Sequence, residues 1–158
     1  MKIVAIIPCR FSSTRFEGKP LALISGKPMI QQVYERAKKI EKITDIFVAT
    51  DDQRIFNAVL GFDGNVLMTS SKNRSGTDRV AEAAEKIGLL PDDIVINIQG
   101  DQPLFNPRSI NELIDAFNTG SDFEMGTLAF QTVDEDEINK PKDVKVTFDC
   151  NGFALYFS

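Results

Sequence analysis

Residues 3–7, IVAII, are a continuous β-branched run, the pattern of a strand buried on both faces. After a long Gly-, Pro- and Ser-punctuated stretch, Pro28 opens a helix in which Ile30, Val33, Tyr34 and Ala37 recur at helical spacing. Residues 45–49 predict a second strand. Asp51 or Asp52 caps the helix after it and Gly61 stops it. Residues 65–68 predict a short third strand. Ser75 or Thr77 caps a helix carrying Val80, Ala81, Ala84 and Ile87. Residues 93–98, DIVINI, give the strongest strand signal. Asn106 and Pro107 then start a helix with Ile110, Leu113, Ile114 and Phe117 on one face. Strand signals at 125–131, 144–148 and 153–157 follow, and the acidic run at 133–137 reads as a solvated turn or short helix. Four strand–helix units predict an α/β fold with a mostly parallel sheet and helices on both faces.

Length and composition narrow this picture. The 158 residues, without a repeat or a linker, predict a single domain over 1–158. The net charge of -5 argues against nucleic acid or a membrane surface as partner, because both attract a positive face. No apolar run is long enough to span a bilayer, and the N-terminus lacks a signal-peptide pattern, so the expected location is the cytoplasm. Cys9 and Cys150 have no metal-ligand spacing. The chain has no histidine, which excludes histidine-based triads, bases and zinc sites within it. The sequence ends inside a hydrophobic strand, as a fragment would.

Candidate chemistry gathers in three loops that follow strands, where open α/β sheets bind ligands. The first holds Arg10, Arg15 and Lys19, a positive focus in an acidic chain, with Ser12, Ser13 and Gly18 to bond anionic oxygens. It reads either as a phosphate-binding loop or as a solvated one, and it is neither a Walker loop nor a dinucleotide fingerprint. Asp101, between Gly100 and Gln102 after a buried strand, suits Mg2+ against a triphosphate or a simple Asx turn.

The segment IPCRFSSTRFEGKPLALISGKPMIQQVYERA resembles the start of the 3-deoxy-manno-octulosonate cytidylyltransferases, or CMP-Kdo synthetases. VATDDQRI, VLMTS with SGTDRVAEA, IVINIQGDQPL, FEMGTLA and DVKVTFDCNGFALYFS continue the likeness in order to the last residue. The resemblance implies a Rossmann-like nucleotidyltransferase fold. It implies transfer of CMP from CTP to an acidic eight-carbon sugar for lipopolysaccharide synthesis, with Mg2+ as cofactor and a homodimer as the intact protein. It assigns catalysis and triphosphate binding to Arg10 and Lys19, with Ser13 and Arg15 in the same loop. Asp101 would hold the metal and Gln99 would orient the substrate. Ser75, Thr77 and Arg79 would line the nucleotide and sugar side, with Asp78 as a cap.

Two departures bear on the assignment. The family continues for roughly another third, which carries a second metal-binding Asp, much of the sugar pocket and dimer contacts. Many members also have a histidine ahead of SGTDR, where this chain has Asn73 and Arg74. Some that prefer the 8-amino sugar lack it too, so both sugars stay open. Cys9 stands where alanine is usual and reads as a small buried residue. The alternatives are an acylneuraminate cytidylyltransferase, a uridylyl- or thymidylyltransferase, and a truncated, non-catalytic nucleotide-binding domain. The loop SSTRFEGKPL and the missing Gly-rich start argue against the first two.

Overall fold

A computed structural model describes residues 1–12, 16–118, 123–132, 134–141 and 143–158. All seven residues of β1 (Ile3–Cys9) are buried. Side chains alternate across a strand, so Ile3, Ala5, Ile7 and Cys9 enter one apolar cluster and Val4 and Ile6 enter the other. A strand of this kind is stable only with cover on both sides.

The elements that follow provide that cover. A tight hairpin of β2 (Leu23–Ile24) and β3 (Lys27–Pro28) turns through Ser25 and Gly26, both at positive φ. Helix α1 (Met29–Ala37) buries Ile30, Val33, Tyr34 and Ala37, the four residues its spacing predicts. Strand β4 (Asp45–Thr50) precedes α2 (Gln53–Leu60), which Asp52 caps by accepting the Arg54 backbone N–H at 2.9 Å. Strand β5 (Val66–Met68) precedes α3 (Gly76–Ile87), which starts at a reciprocal Ser75–Asp78 capping box and ends at a left-handed Gly88. Strand β6 (Ile94–Asn97) leads to α4 (Pro107–Asn118), where Asn106 Oδ1 accepts the Arg108 N–H at 3.1 Å.

The sheet order is β5-β4-β1-β6, and every pair is parallel. Ile30, Val33, Ile55, Val59 and Ile114, from α1, α2 and α4, join the odd-numbered residues of β1 in one cluster, while Val80 and Ala83 of α3 join the even-numbered ones. This is the mostly parallel, doubly covered α/β sheet that the periodicity predicts.

The chain divides into two compact units, Met1–Asn118 and Thr119–Ser158. The second contains α5 (Glu135–Asn139), which resolves the acidic run as a short helix. It also contains an antiparallel ribbon of β7 (Val146–Phe148) and β8 (Ala154–Phe157), with a bulge at Thr147/Phe148. The strand expected at 125–131 does not form. These residues lie outside any ladder, and Met125 and Phe130 are exposed. Alternating apolar residues make a strand only where a neighbouring edge supplies hydrogen bonds, and no partner strand pairs with this segment among the described residues. Among the described residues no helix is long and apolar enough to cross a membrane.

Tyr34 joins α1 to the turn before β5. Its ring packs on Phe62 at 5.4 Å between centroids, and its hydroxyl accepts the Asn65 backbone N–H at 3.1 Å. Tyr34→Phe keeps the packing and leaves that amide without its partner. The expected cost is about 1 kcal/mol, read as a lower urea midpoint at unchanged m-value.

Candidate functional site

Parallel strands bring their carboxyl ends to one edge of the sheet. The chain runs from β1 outward to β4 and β5, then returns to place β6 on the other side of β1. The order therefore reverses between β1 and β6, and a crevice opens beyond their ends. A cleft of about 380 Å³ lies there. Pro8, Cys9 and Arg10 enter it from β1, Gln99, Gly100 and Asp101 from β6, and Ser75 and Gly76 from the start of α3.

The strand ends lie very close together. A Cβ on Gly100 would sit 2.4 Å from Cys9 Sγ and 3.1 Å from the Pro8 carbonyl oxygen. Only glycine fits without parting β1 from the QGDQP turn. Burial pushes the Cys9 thiol up to about 12, with Arg79 opposing and Asp101 adding to the rise. Cys9 is therefore a protonated packing residue, in keeping with its sequence reading.

Lys19 and Asp101 are 82 positions apart in sequence, yet Lys19 Nζ donates to Asp101 Oδ2 at 2.7 Å. Their side chains are 37% and 53% exposed, so water and ligands reach both. Arg10 is exposed on the same wall. Gln99 also lines the cleft, and its Nε2 donates to Asn97 Oδ1 at 3.1 Å. At the start of α3, Ser75 Oγ accepts the Asp78 N–H at 3.0 Å, and Asp78 Oδ2 accepts the N–H groups of Ser75 and Arg74. The capping box leaves the helix's positive end, at Gly76, facing the cleft.

Arg79 lines the cleft but is only 3% exposed. One terminal nitrogen donates to Thr69 Oγ1 and the other to Asp51 Oδ2, the latter at 2.8 Å. It ties α3 to the ends of β4 and β5. Thr77 lies in the first turn of α3, exposed and not on the cleft wall. Ser13 and Arg15 lie outside the described residues.

Sequence reasoning missed several contributors. Phe16 and Pro20 line the cleft, and neither carried a chemical signal. Of the two candidate caps of α2, Asp52 takes the cap, and Asp51 pairs with Arg79. Glu82 holds the loop before α3. It accepts from the Ser70 N–H, from Asn73 Nδ2 at 2.6 Å and from Lys86 Nζ at 2.8 Å. A carboxylate one helical turn before a lysine was the available clue.

No group of three or more His, Cys, Asp or Glu residues that could hold a metal ion occurs among the described residues. Asp101 offers a single carboxylate in an open cleft beside cations. That donor set fits Mg2+, which is commonly held by one or two carboxylates together with substrate phosphates. It does not fit a cation that needs an all-protein cage.

Residues 4–158 match the family described as Cytidylyltransferase. The chain belongs to that family. It is 60% identical over 158 residues to the 3-deoxy-manno-octulosonate cytidylyltransferase of Desulfosudis oleivorans, covering all of this chain and 64% of that protein. It is 54% identical over 159 residues to the 8-amino-3,8-dideoxy-manno-octulosonate cytidylyltransferase of Shewanella piezotolerans, covering 65% of that protein. A solved structure of a CMP:2-keto-3-deoxy-manno-octonic acid synthetase complexed with CTP superposes with a TM-score of 0.87 at 38% identity, over all of this chain and 64% of that one. The chain thus spans less than two-thirds of the length of these relatives. The nucleotidyltransferase fold expected from the resemblance is the fold observed.

Two outcomes test the geometry of this cytidylyltransferase cleft. Gly100→Ala should cost about 1–3 kcal/mol of stability through overpacking, and adding Cys9→Ala should recover part of it in chemical denaturation. The Lys86 ammonium, the Ser70 amide and the Asn73 amide hold the Glu82 carboxyl down at about 2. A folded value below the unfolded one stabilises the fold above the unfolded value of about 4.3 and ceases to do so as pH falls toward 2. Glu82→Gln should therefore be less stable than the parent chain at pH 7, and the gap should narrow steadily from about pH 5 down toward pH 2.

Proposed function

We propose that the chain is the nucleotide-binding domain, residues 1–158, of an enzyme that transfers CMP from CTP to 3-deoxy-manno-octulosonate and releases pyrophosphate. The observation that carries the reading is the meeting of Lys19 and Asp101 at the switch-point cleft. A cation and a carboxylate placed there are what a metal-bound triphosphate requires. The family profile, which spans both compact units, and the printed names of the relatives supply the base and the sugar class.

The sugar's anomeric oxygen attacks the α-phosphorus in line. An oxygen–phosphorus bond forms, the bond to the bridging oxygen of pyrophosphate breaks, and the hydroxyl gives up its proton to water in the open cleft. Such a transfer is mainly positioning and charge neutralisation. Lys19 and Arg10 bind the phosphates and meet the negative charge that grows on the leaving group. Ser13 and Arg15 extend the same loop, and the positive end of α3, at Ser75 and Gly76, faces the nucleotide. Gln99 orients the sugar, and Arg79 shapes the wall between nucleotide and sugar. Asp101 would hold Mg2+ with the phosphates; the bound ion supplies charge neutralisation and lowers the pKa of the attacking hydroxyl. Lys19 and Asp101 satisfy each other in their ion pair, and they would part to take the phosphates and Mg2+.

The 8-amino sugar is the second reading, favoured by the Shewanella relatives and by Asn73-Arg74 ahead of SGTDR. The same proposal places the intact protein in the cytoplasm as a homodimer, lipopolysaccharide synthesis being its setting, with no nucleic acid or membrane partner.

Three measurements decide it. CTP should bind far better than ATP in calorimetry, and comparable affinities would sink the assignment. Lys19→Ala should weaken CTP binding, because the phosphates lose a cation. Asp101→Asn should lower kcat for pyrophosphate release at least ~10²-fold, about 2.7 kcal/mol of transition-state stabilisation. Near-normal turnover in that variant at ordinary Mg2+ would return Asp101 to a turn residue.

A further inference from the structure

Arg10 and Lys19 flank a loop whose neck, among the described residues, is closed by a backbone hydrogen bond. The Gly18 N–H donates to the Phe11 carbonyl at 2.9 Å. Phe11 follows Arg10 directly and Gly18 precedes Lys19 directly, so the neck sets the separation of the two cations. Gly18 is at φ 71 and a Cβ on it would meet the Phe11 ring at 3.0 Å. The ring therefore backs onto the Gly18 backbone, at a position that needs glycine twice over.

Arg54, in the first turn of α2, lies over that ring with its guanidinium carbon 3.2 Å from the centroid. Its fork is itself held. Nε donates to Asp52 Oδ1 at 3.0 Å and Nη2 to Asp52 Oδ2 at 2.7 Å, while the Arg54 backbone N–H also meets Oδ1 at 2.9 Å. A cap carboxylate thus fixes the plane of the guanidinium, and the guanidinium fixes the ring. The Asp52 cap needs only the backbone N–H of Arg54, so the helix start does not explain why the side chain reaches across to Phe11. Arg54 does not line the cleft.

We propose that Arg54 is a positioning residue for phosphate binding: through Asp52 and Phe11 it holds the neck of the loop, and so the spacing of Arg10 and Lys19. This rests on the reading of those two cations as triphosphate ligands.

The test is calorimetric titration of the 158-residue chain with CTP, at ordinary salt and near 1 M, where the Debye length falls to about 3 Å and a remote charge no longer acts. Arg54→Met keeps a side chain over the ring without the fork. Phe11→Leu keeps bulk without the aromatic face, and Phe11→Tyr keeps the face. Arg54→Met and Phe11→Leu should each weaken CTP about three- to tenfold at both salt concentrations. The double variant should be no weaker than Phe11→Leu alone, because both break one linkage. Phe11→Tyr should bind as the parent does, and the thermal midpoint of Arg54→Met should stay within a few degrees of the parent's. Unchanged affinity in Arg54→Met, a loss that vanishes at high salt, additive losses, or a Phe11→Tyr as weak as Phe11→Leu would each overturn the inference. If the parent chain bound no CTP, the phosphate-loop reading would fail and take this inference with it. Parent binding with indifferent Arg54→Met defeats the inference alone.

Discussion

β1 is buried on both faces for all seven residues, and the site follows from that constraint. Helices α1, α2 and α4 cover one face and α3 covers the other. Right-handed crossovers put helices on opposite faces only when the chain leaves the first strand in opposite directions. The strand order must then reverse beside β1, and it does so between β1 and β6. The cleft between Arg10 and Asp101 is thus a consequence of covering one hydrophobic strand twice.

Two ion pairs at that cleft behave differently because their solvation differs. Arg79–Asp51 is half-buried, with side chains 4% and 20% exposed, and Thr69 takes a second guanidinium nitrogen. Removing Asp51 strands the buried guanidinium, and loss of one partner of a buried pair typically costs about 3–5 kcal/mol. It holds the wall. Lys19–Asp101 is open to water, and exposed pairs contribute about 0–1 kcal/mol. Under the proposed function that pair would open at little cost, because a phosphate and a metal ion would offer each side chain a stronger partner. Rigid wall and yielding centre come from the same residue types at different burial.

Much of this was legible in the sequence. The run IVAII announced a doubly covered strand, and the helical recurrence from Ile30 to Ala37 named the buried face of α1 residue by residue. The three loops that converge on the cleft were recognisable because strand ends in an α/β sheet share one edge. What stayed hidden was pairing across long separations. Nothing local marks Asp51 as the partner of Arg79 rather than a cap. Nothing in CRF predicts that Phe11 lies beneath Arg54, because cation–ring contacts have no period. The segment at 125–131 failed for the complementary reason: alternation describes one strand, whereas a ladder needs two.

The loop before α3 shows how far hydrogen-bond accounting reaches into specificity. Asn73 Nδ2 donates to the Glu82 carboxylate. Only the amide nitrogen can donate to a carboxylate, so the side chain's orientation is fixed, and Oδ1 and the second Nδ2 hydrogen are what Asn73 has left to offer the cleft it lines. A substrate group that meets Oδ1 must donate. A hydroxyl and an ammonium both donate, so Asn73 by itself does not separate the two sugars. Charge must do so. Lys86 pairs with Glu82, which offsets that negative charge, while the Arg74 side chain is exposed at the same wall. Arg74 repels a cation and is indifferent to a hydroxyl. Under the proposed function, Asn73 and Arg74 would accept either sugar by hydrogen bonding and would tilt toward the uncharged one by electrostatics, to a degree set by how closely Arg74 approaches the sugar.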